Sequence, residues 1–211
     1  RTSNPSHLTI EGILSKAYLK KGLNLEDTGF LLNTDNPGLL EKMFQTSGRI
    51  KNEIYGERLV FFAPLYISSF CVNDCDYCGF HCRNTATRKK LSQEEVVEQI
   101  RILEDMGHKR LLLEFGEHPN ENPIDYVVET IHTIYNTKSK KGEIRRVNIN
   151  IAATTTENYR KLKEAGIGTY QLFQETYHNE TYMRLHHGPK ANYERQLFAH
   201  DLAIKAGIDD V

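Results

Sequence analysis

RVNINI, residues 146 to 151, alternates apolar and polar side chains with period two. In a strand successive side chains point to opposite faces, so Val147, Ile149 and Ile151 share one face and Asn148 and Asn150 the other. A parallel strand covered by helices on both sides is apolar on both faces. Two inward asparagines fit better a barrel whose interior is partly a cavity. An edge strand with one wet face is the other reading.

Around this strand the texture alternates. Upstream, Leu59 to Ile67 is a β-rich apolar run. Leu91 to Met106 reads as a helix with the stripe Val96, Val97, Ile100 and Leu103, a Ser92/Glu95 capping box and Gly107 as its stop. RLLLEF, residues 110 to 115, is a second strand. Asn122 is expected to cap a helix with Pro123 at its first position and Ile124, Val127, Val128, Ile131 and Tyr135 on its buried face. Downstream, Thr154 and Glu157 form a potential capping box for a helix ending at Gly166. A strand run, Thr169 to Phe173, and a helix from Asn192 to Ala206 follow. The order β-α-β-α-β-α-β-α argues for a parallel sheet with helical crossovers, doubly wound or a TIM-type barrel.

The polar face of RVNINI favours the barrel. About four βα units are legible, whereas a closed eight-stranded barrel takes about 250 residues. The expectation is an α/β fold, a partial TIM-type (βα) barrel over residues 57–211 with its C-terminal half absent. An N-terminal segment of short helices, residues 1–56, precedes it, with apolar positions Ile10, Ile13, Leu14 and Ala17, then Leu39, Leu40 and Met43 at helical spacing.

With 39% hydrophobic residues the chain has material for a real core, and at a formal charge of -1 it offers nucleic acid no sustained basic face. The basic groups Arg88 to Lys90 and Lys138, Lys140 and Lys141 read as solvated loops. No apolar run approaches the roughly 18 residues of a membrane span, and the polar start RTSNPSHL is no signal peptide.

All four cysteines fall in SSFCVNDCDYCGFHC, residues 68 to 82. Cysteines that staple a secreted protein are spread along it, whereas three and four apart they suit a metal or cluster in a reducing compartment, which points to the cytoplasm. Cys71, Cys75 and Cys78, spaced C-x3-C-x2-C after the first strand, suit three irons of a 4Fe-4S cluster with the fourth iron left open. Zinc is the rival: Cys75, Cys78 and His81 with Cys71 or Cys82 would supply four ligands in a zinc-stabilised binding module. Zinc sites usually recruit a second pair from farther along, and this chain has none. A catalytic dithiol would start a helix in a thioredoxin-like unit, which this element order is not.

CVNDCDYC, with Tyr77 as its aromatic, resembles the C-x3-C-x-Φ-C signature of radical S-adenosylmethionine (SAM) enzymes. Over most of residues 55 to 211, IYGERLVFFAPLYIS, RLLLEFGEHP, KGEIRRVNINIA, GIGTYQLFQETYH and AGIDDV resemble the tyrosine-lyase branch of that superfamily. One of its members serves FeFe-hydrogenase maturation and another thiazole synthesis for thiamine. FGEHP and GEIRRVNINIA favour the hydrogenase maturase. The resemblance implies a 4Fe-4S cluster, SAM bound at its open iron, and a 5'-deoxyadenosyl radical made with an electron from a reductant such as ferredoxin or flavodoxin. It further implies that L-tyrosine is cleaved at Cα-Cβ to p-cresol and dehydroglycine, which becomes CO and cyanide for the hydrogenase cluster, with hydrogenase maturation partners.

By the same resemblance Gly116 and Glu117 stand where the superfamily's GGE-like motif holds the SAM amino group. A turn glycine beside a solvated glutamate is the plain alternative. Tyr77 is placed near the adenine, or in simple packing. Asn150, Gln174 and Glu175, at the ends of the third and fourth strands, are placed toward ribose hydroxyls or substrate, or act only as caps. Cys82 departs from the superfamily pattern and reads as a non-ligating thiol, since a fourth ligand would close the iron that SAM needs. His118, His178, His186 and His187 read as surface or hydrogen-bonding residues. No catalytic side chain is assigned.

Overall fold

The computed structural model describes residues 5–211. Residues 1–4, the start of the expected N-terminal segment, lie outside the described residues. The chain divides into two compact units, Arg1–Val60 and Phe61–Val211.

In the first unit three helices form where helical spacing meets a cap. α1 (His7–Tyr18) is capped by Ser6, α2 (Leu25–Leu32) by an Asn24/Asp27 box and α3 (Pro37–Tyr55) by Asn36, with Pro37 at its first turn. Ile10, Ile13 and Leu39 make their common core.

The second unit is built on a parallel sheet of β1 (Ala63–Ser68), β2 (Arg110–Phe115), β5 (Arg146–Asn150) and β6 (Tyr170–Gln171), ordered β1-β2-β5-β6. Each strand neighbours the one before it in sequence, apart from a small hairpin, β3 (Lys138–Ser139) with β4 (Gly142–Glu143). A doubly wound sheet reverses direction at a switch point. This order never reverses, as in a barrel wall.

The two faces of the sheet differ as RVNINI implied. Leu65, Leu113, Ile149 and Tyr170 lie side by side in register and are buried. Over them pack α4 (Gln93–Asp105) through Val96 and Ile100, α5 (Ile124–Asn136) through Val127, Ile131 and Ile134, and α6 (Thr156–Glu164) through Tyr159 and Leu162. One position along, Tyr66, Glu114, Asn150 and Gln171 form the matching row on the opposite face.

Several local expectations need correction. The first strand starts at Ala63, not Leu59; Leu59, Val60, Phe61 and Phe62 have no ladder partner and are 70%, 65%, 72% and 48% exposed. Their β propensity is not enough without a strand to pair with. Asn122 does not cap α5; Pro123 holds that position, and the Asn122 amide is used elsewhere. The cap of α6 is Thr155, because Thr154 spends its hydroxyl accepting from Asn158. The strand run Thr169 to Phe173 shortens to Tyr170–Gln171. The last helix is broken at Phe198 into α8 (Tyr193–Leu197) and α9 (Ala199–Lys205), and it is preceded by α7 (Asn179–Leu185) and a 3-10 turn, Pro189–Ala191. Among the described residues no helix is long and apolar enough to cross a membrane.

Candidate active site

A cavity of about 510 Å³ opens at the C-terminal ends of the strands. Cys71, Cys75 and Cys78 line it, with Tyr77, Gly116, Glu117, Asn150 and Glu175. Gln174 is not among the lining residues; its amide nitrogen lies 3.5 Å from the Thr176 carbonyl. Cys82 is exposed and outside the cavity.

The cluster loop and the Gly116–Glu117 turn are built as one piece. Gly116 N–H donates to Ser68 O (2.9 Å) and Val72 N–H to Glu117 O (2.7 Å). A Cβ on Gly116 would overlap the Phe70 carbonyl and stand 3.1 Å from Cys71 Cβ, so only glycine permits this approach. The Asn122 amide donates to both Phe70 O (3.2 Å) and Gly116 O (2.7 Å), clamping the two segments. Glu117 is 14% exposed; Asn73 donates to its Oε2 (2.7 Å) and Arg195 to its Oε1 (2.6 Å).

A second brace comes from residues 185–190. Leu185 O and His187 O accept from Asp76 and Asp74 N–H at 3.0 Å each, and Lys190 N–H donates to Asn73 Oδ1 at 2.8 Å. Gly188, at φ 93°, has no room for a Cβ, which would sit 2.9 Å from Asn73 Oδ1. His186 is 1% exposed. Its Nδ1–H donates to Tyr182 O (2.7 Å), because a carbonyl only accepts; that leaves Nε2 to accept the Tyr77 hydroxyl (2.7 Å). Burial, and then Glu175 beside it, push the Tyr77 hydroxyl well above the usual phenol range. Glu175 holds φ 60°, a left-handed conformation that costs a side-chain-bearing residue about 1 kcal/mol or more.

Asn73, Glu114, Arg195, His186 and Lys190 thus join the site without having been singled out as site residues from sequence. Glu114 had a signal: it falls on the same strand period and register row as Asn150, which donates to it at 2.8 Å. Burial raises the Glu114 carboxyl above its ordinary range, partly offset by that bond. Asn73 had none, lying in an aperiodic loop with partners far along the chain.

The donor set fits an iron-sulfur cluster. Three free thiols face one cavity, and burial pushes the Cys75 thiol up, with the Cys78 and Cys71 sulfurs near enough to add to it. Three thiolates gathered there need bound positive charge. The zinc set fits less well, since neither His81 nor the exposed Cys82 lines the cavity that the other three thiols share. Among the described residues no three His, Cys, Asp or Glu are grouped tightly enough for a single ion.

Residues 65–211 match the model of the Radical SAM superfamily. The chain belongs to that superfamily. Among solved structures, this radical SAM chain is similar to HydG, a maturase of the [FeFe]-hydrogenase, at 55% identity with a TM-score of 0.93, covering 98% of this chain and 46% of that one. It is similar to HydG from Carboxydothermus hydrogenoformans at 42% identity and a TM-score of 0.80, covering 95% of this chain and 46% of that one. Among curated proteins it is 30% identical to 2-iminoacetate synthase of Escherichia coli strain K12 over 94% of this chain and 51% of the relative. The chain therefore spans about half the length of the relatives it matches.

Proposed function

We propose that this radical SAM chain is part of a carbon-carbon lyase that cleaves L-tyrosine between Cα and Cβ, giving p-cresol and dehydroglycine for FeFe-hydrogenase maturation. The observation that carries the reading is the 55% identity to HydG across 98% of the chain. The likeness to 2-iminoacetate synthase supports the same bond cleavage, since 2-iminoacetate and dehydroglycine are one compound. It also keeps the thiazole-synthesis lyase as the second reading, at the lower identity of 30%.

The bound cluster and SAM supply one-electron, hydrogen-abstracting chemistry. The protein contributes position and dryness. Cys71, Cys75 and Cys78 hold the cluster. The Gly116 backbone and the Glu117 carboxylate receive the SAM ammonium, Tyr77 packs beside the adenine, and Asn150 and Glu175 meet the ribose hydroxyls. Gln174 is left with a local role. Tyrosine occupies the remaining cavity, and the electron comes from a small reductant such as ferredoxin or flavodoxin. Exclusive use of clustered, unbridged cysteines supports a reducing compartment, the cytoplasm.

Anaerobic reconstitution with iron and sulfide, followed by EPR with and without SAM, tests the cofactors: zinc without iron, and no SAM-sensitive signal, sinks the reading. Tyrosine-dependent 5'-deoxyadenosine and p-cresol, assayed in the protein expressed from its complete reading frame, tests the reaction. CO and cyanide release separates the hydrogenase role from thiazole synthesis.

A further inference from the structure

Lys190 is the one cationic side chain among the described residues lining the cavity, which it shares with the three cysteines and with Glu114, Glu117 and Glu175. Its backbone is held on both sides: its N–H donates to Asn73 Oδ1 (2.8 Å) and its carbonyl accepts from Tyr182 OH (2.7 Å). Its Nζ lies 2.8 Å from Glu175 Oε1, and the two side chains are 21% and 24% exposed, so solvent screens them only in part. Asn73 ties this cation to the loop, because the amide that accepts from Lys190 also reaches Cys71 Sγ at 3.6 Å. Glu175, at φ 60°, brings the partner carboxylate from a separate segment. Its second oxygen lies 3.4 Å from His186 Nε2, which accepts from Tyr77 and has no proton to offer it, so Lys190 is the group that holds this carboxylate.

Resting on the cluster reading above, we propose that the Lys190–Glu175 ion pair sets the reduction potential of the cluster held by Cys71, Cys75 and Cys78. One-electron reduction by an external donor makes the thiolate-bound cluster one unit more negative. Of the lining carboxylates Glu117 is already paired with Arg195 (2.6 Å), which leaves Lys190 and Glu175 as the charge pair within the lining itself. Cluster potentials follow local net charge and solvent exposure. The Lys190 cation favours the reduced state and raises the potential. The Glu175 carboxylate, held against it, trims that effect, so the pair holds the cluster between the values either side chain alone would give. Lys190 acts here through the field at the cluster and touches no reacting atom.

The test is an EPR-monitored redox titration of the reconstituted protein in the absence of SAM. Lys190→Met is expected to shift the midpoint to lower potential, Glu175→Gln to higher potential, and the double variant back toward the parent. Lys190→Arg, which keeps the charge, is expected to rescue the parent value, an outcome that simple loss of packing would not produce. Glu175→Gln keeps volume and tests the same pair if Lys190→Met does not fold. Midpoints in Lys190→Met and Glu175→Gln that are unmoved, or moved in the same direction, overturn the proposal while leaving the cluster reading intact. A parent protein that takes up no iron overturns the cluster reading itself, and the proposal with it.

Discussion

Gly116 is the residue at which the turn and the cluster loop touch, and the contact leaves no room for a methyl group. Gly116→Ala forces the Phe70 carbonyl or the turn to move, and overpacking of this kind costs about 1–3 kcal/mol. The expected outcome is lower stability in urea together with reduced iron per chain after reconstitution; a variant with parental iron content would show that the turn does not set the loop. Glu117→Ala is expected to leave the cluster assembled and to weaken SAM binding about ten- to a hundredfold, the cost of one charge-assisted hydrogen bond. Isothermal titration on iron-loaded protein measures it. Glu114 gives a pH test. Its carboxyl is raised in the folded state, so the neutral form is favoured by folding; that contribution is fully present below the unfolded pKa and is lost as pH rises through the folded one. Glu114→Gln keeps the bond to Asn150 without the charge and is expected to gain stability relative to parent above the carboxylate range, with the gain vanishing at acid pH. The cysteines were legible because their spacing is local. Asn73 and His186 were not, since their decisive partners, Glu117 and Tyr77, lie 44 and 109 residues away and no period in the sequence connects them.

Among the elements, those whose periodicity runs over several turns or alternations could be read directly: α4, α5 and β5 stand close to where their patterns put them, because burial on one face dictates the pattern. Ends were less legible. Thr154 and Thr155 both suit an N-cap, and only the three-dimensional position of Asn158 decides between them. Thr155→Ala is therefore expected to cost about 1 kcal/mol, like Ser92→Ala at the α4 capping box. Thr154→Ala should cost visibly less, and equal losses at 154 and 155 in urea unfolding would contradict the assignment. The β-rich residues 59–62 show the converse, a strand-like stretch left outside the ladder because β2 offers its first partner at Leu111, opposite Ala63. The segment 185–190 carries no regular period, yet it braces the cluster loop through backbone groups, which no side-chain pattern advertises.

At the scale of the whole molecule, β1 and β6 are the outer strands of a sheet whose strand order is that of a barrel wall. Among the described residues no further strand is laddered onto either, and local backbone bonds meet them instead, Leu91 N–H to Ile67 O (2.9 Å) at β1 and Tyr170 N–H to Asp210 O (3.0 Å) at β6. The cluster loop, the Gly116–Glu117 turn and Asn150 all stand on strands inside this sheet or on loops directly after them, so the groups proposed to hold the cofactors are contained in it. A substrate held beside them would meet protein on one side and water on the other. Radical intermediates in an open, wet site are quenched before they reach the substrate. The polypeptide of residues 1–211 on its own is therefore expected to take up iron and to cleave SAM slowly and uncoupled from tyrosine, with no p-cresol, CO or cyanide. Anaerobic incubation with dithionite, SAM and tyrosine, with chromatography for 5'-deoxyadenosine and p-cresol, checks this. Stoichiometric p-cresol from these residues alone would mean that four strands suffice to enclose the reaction.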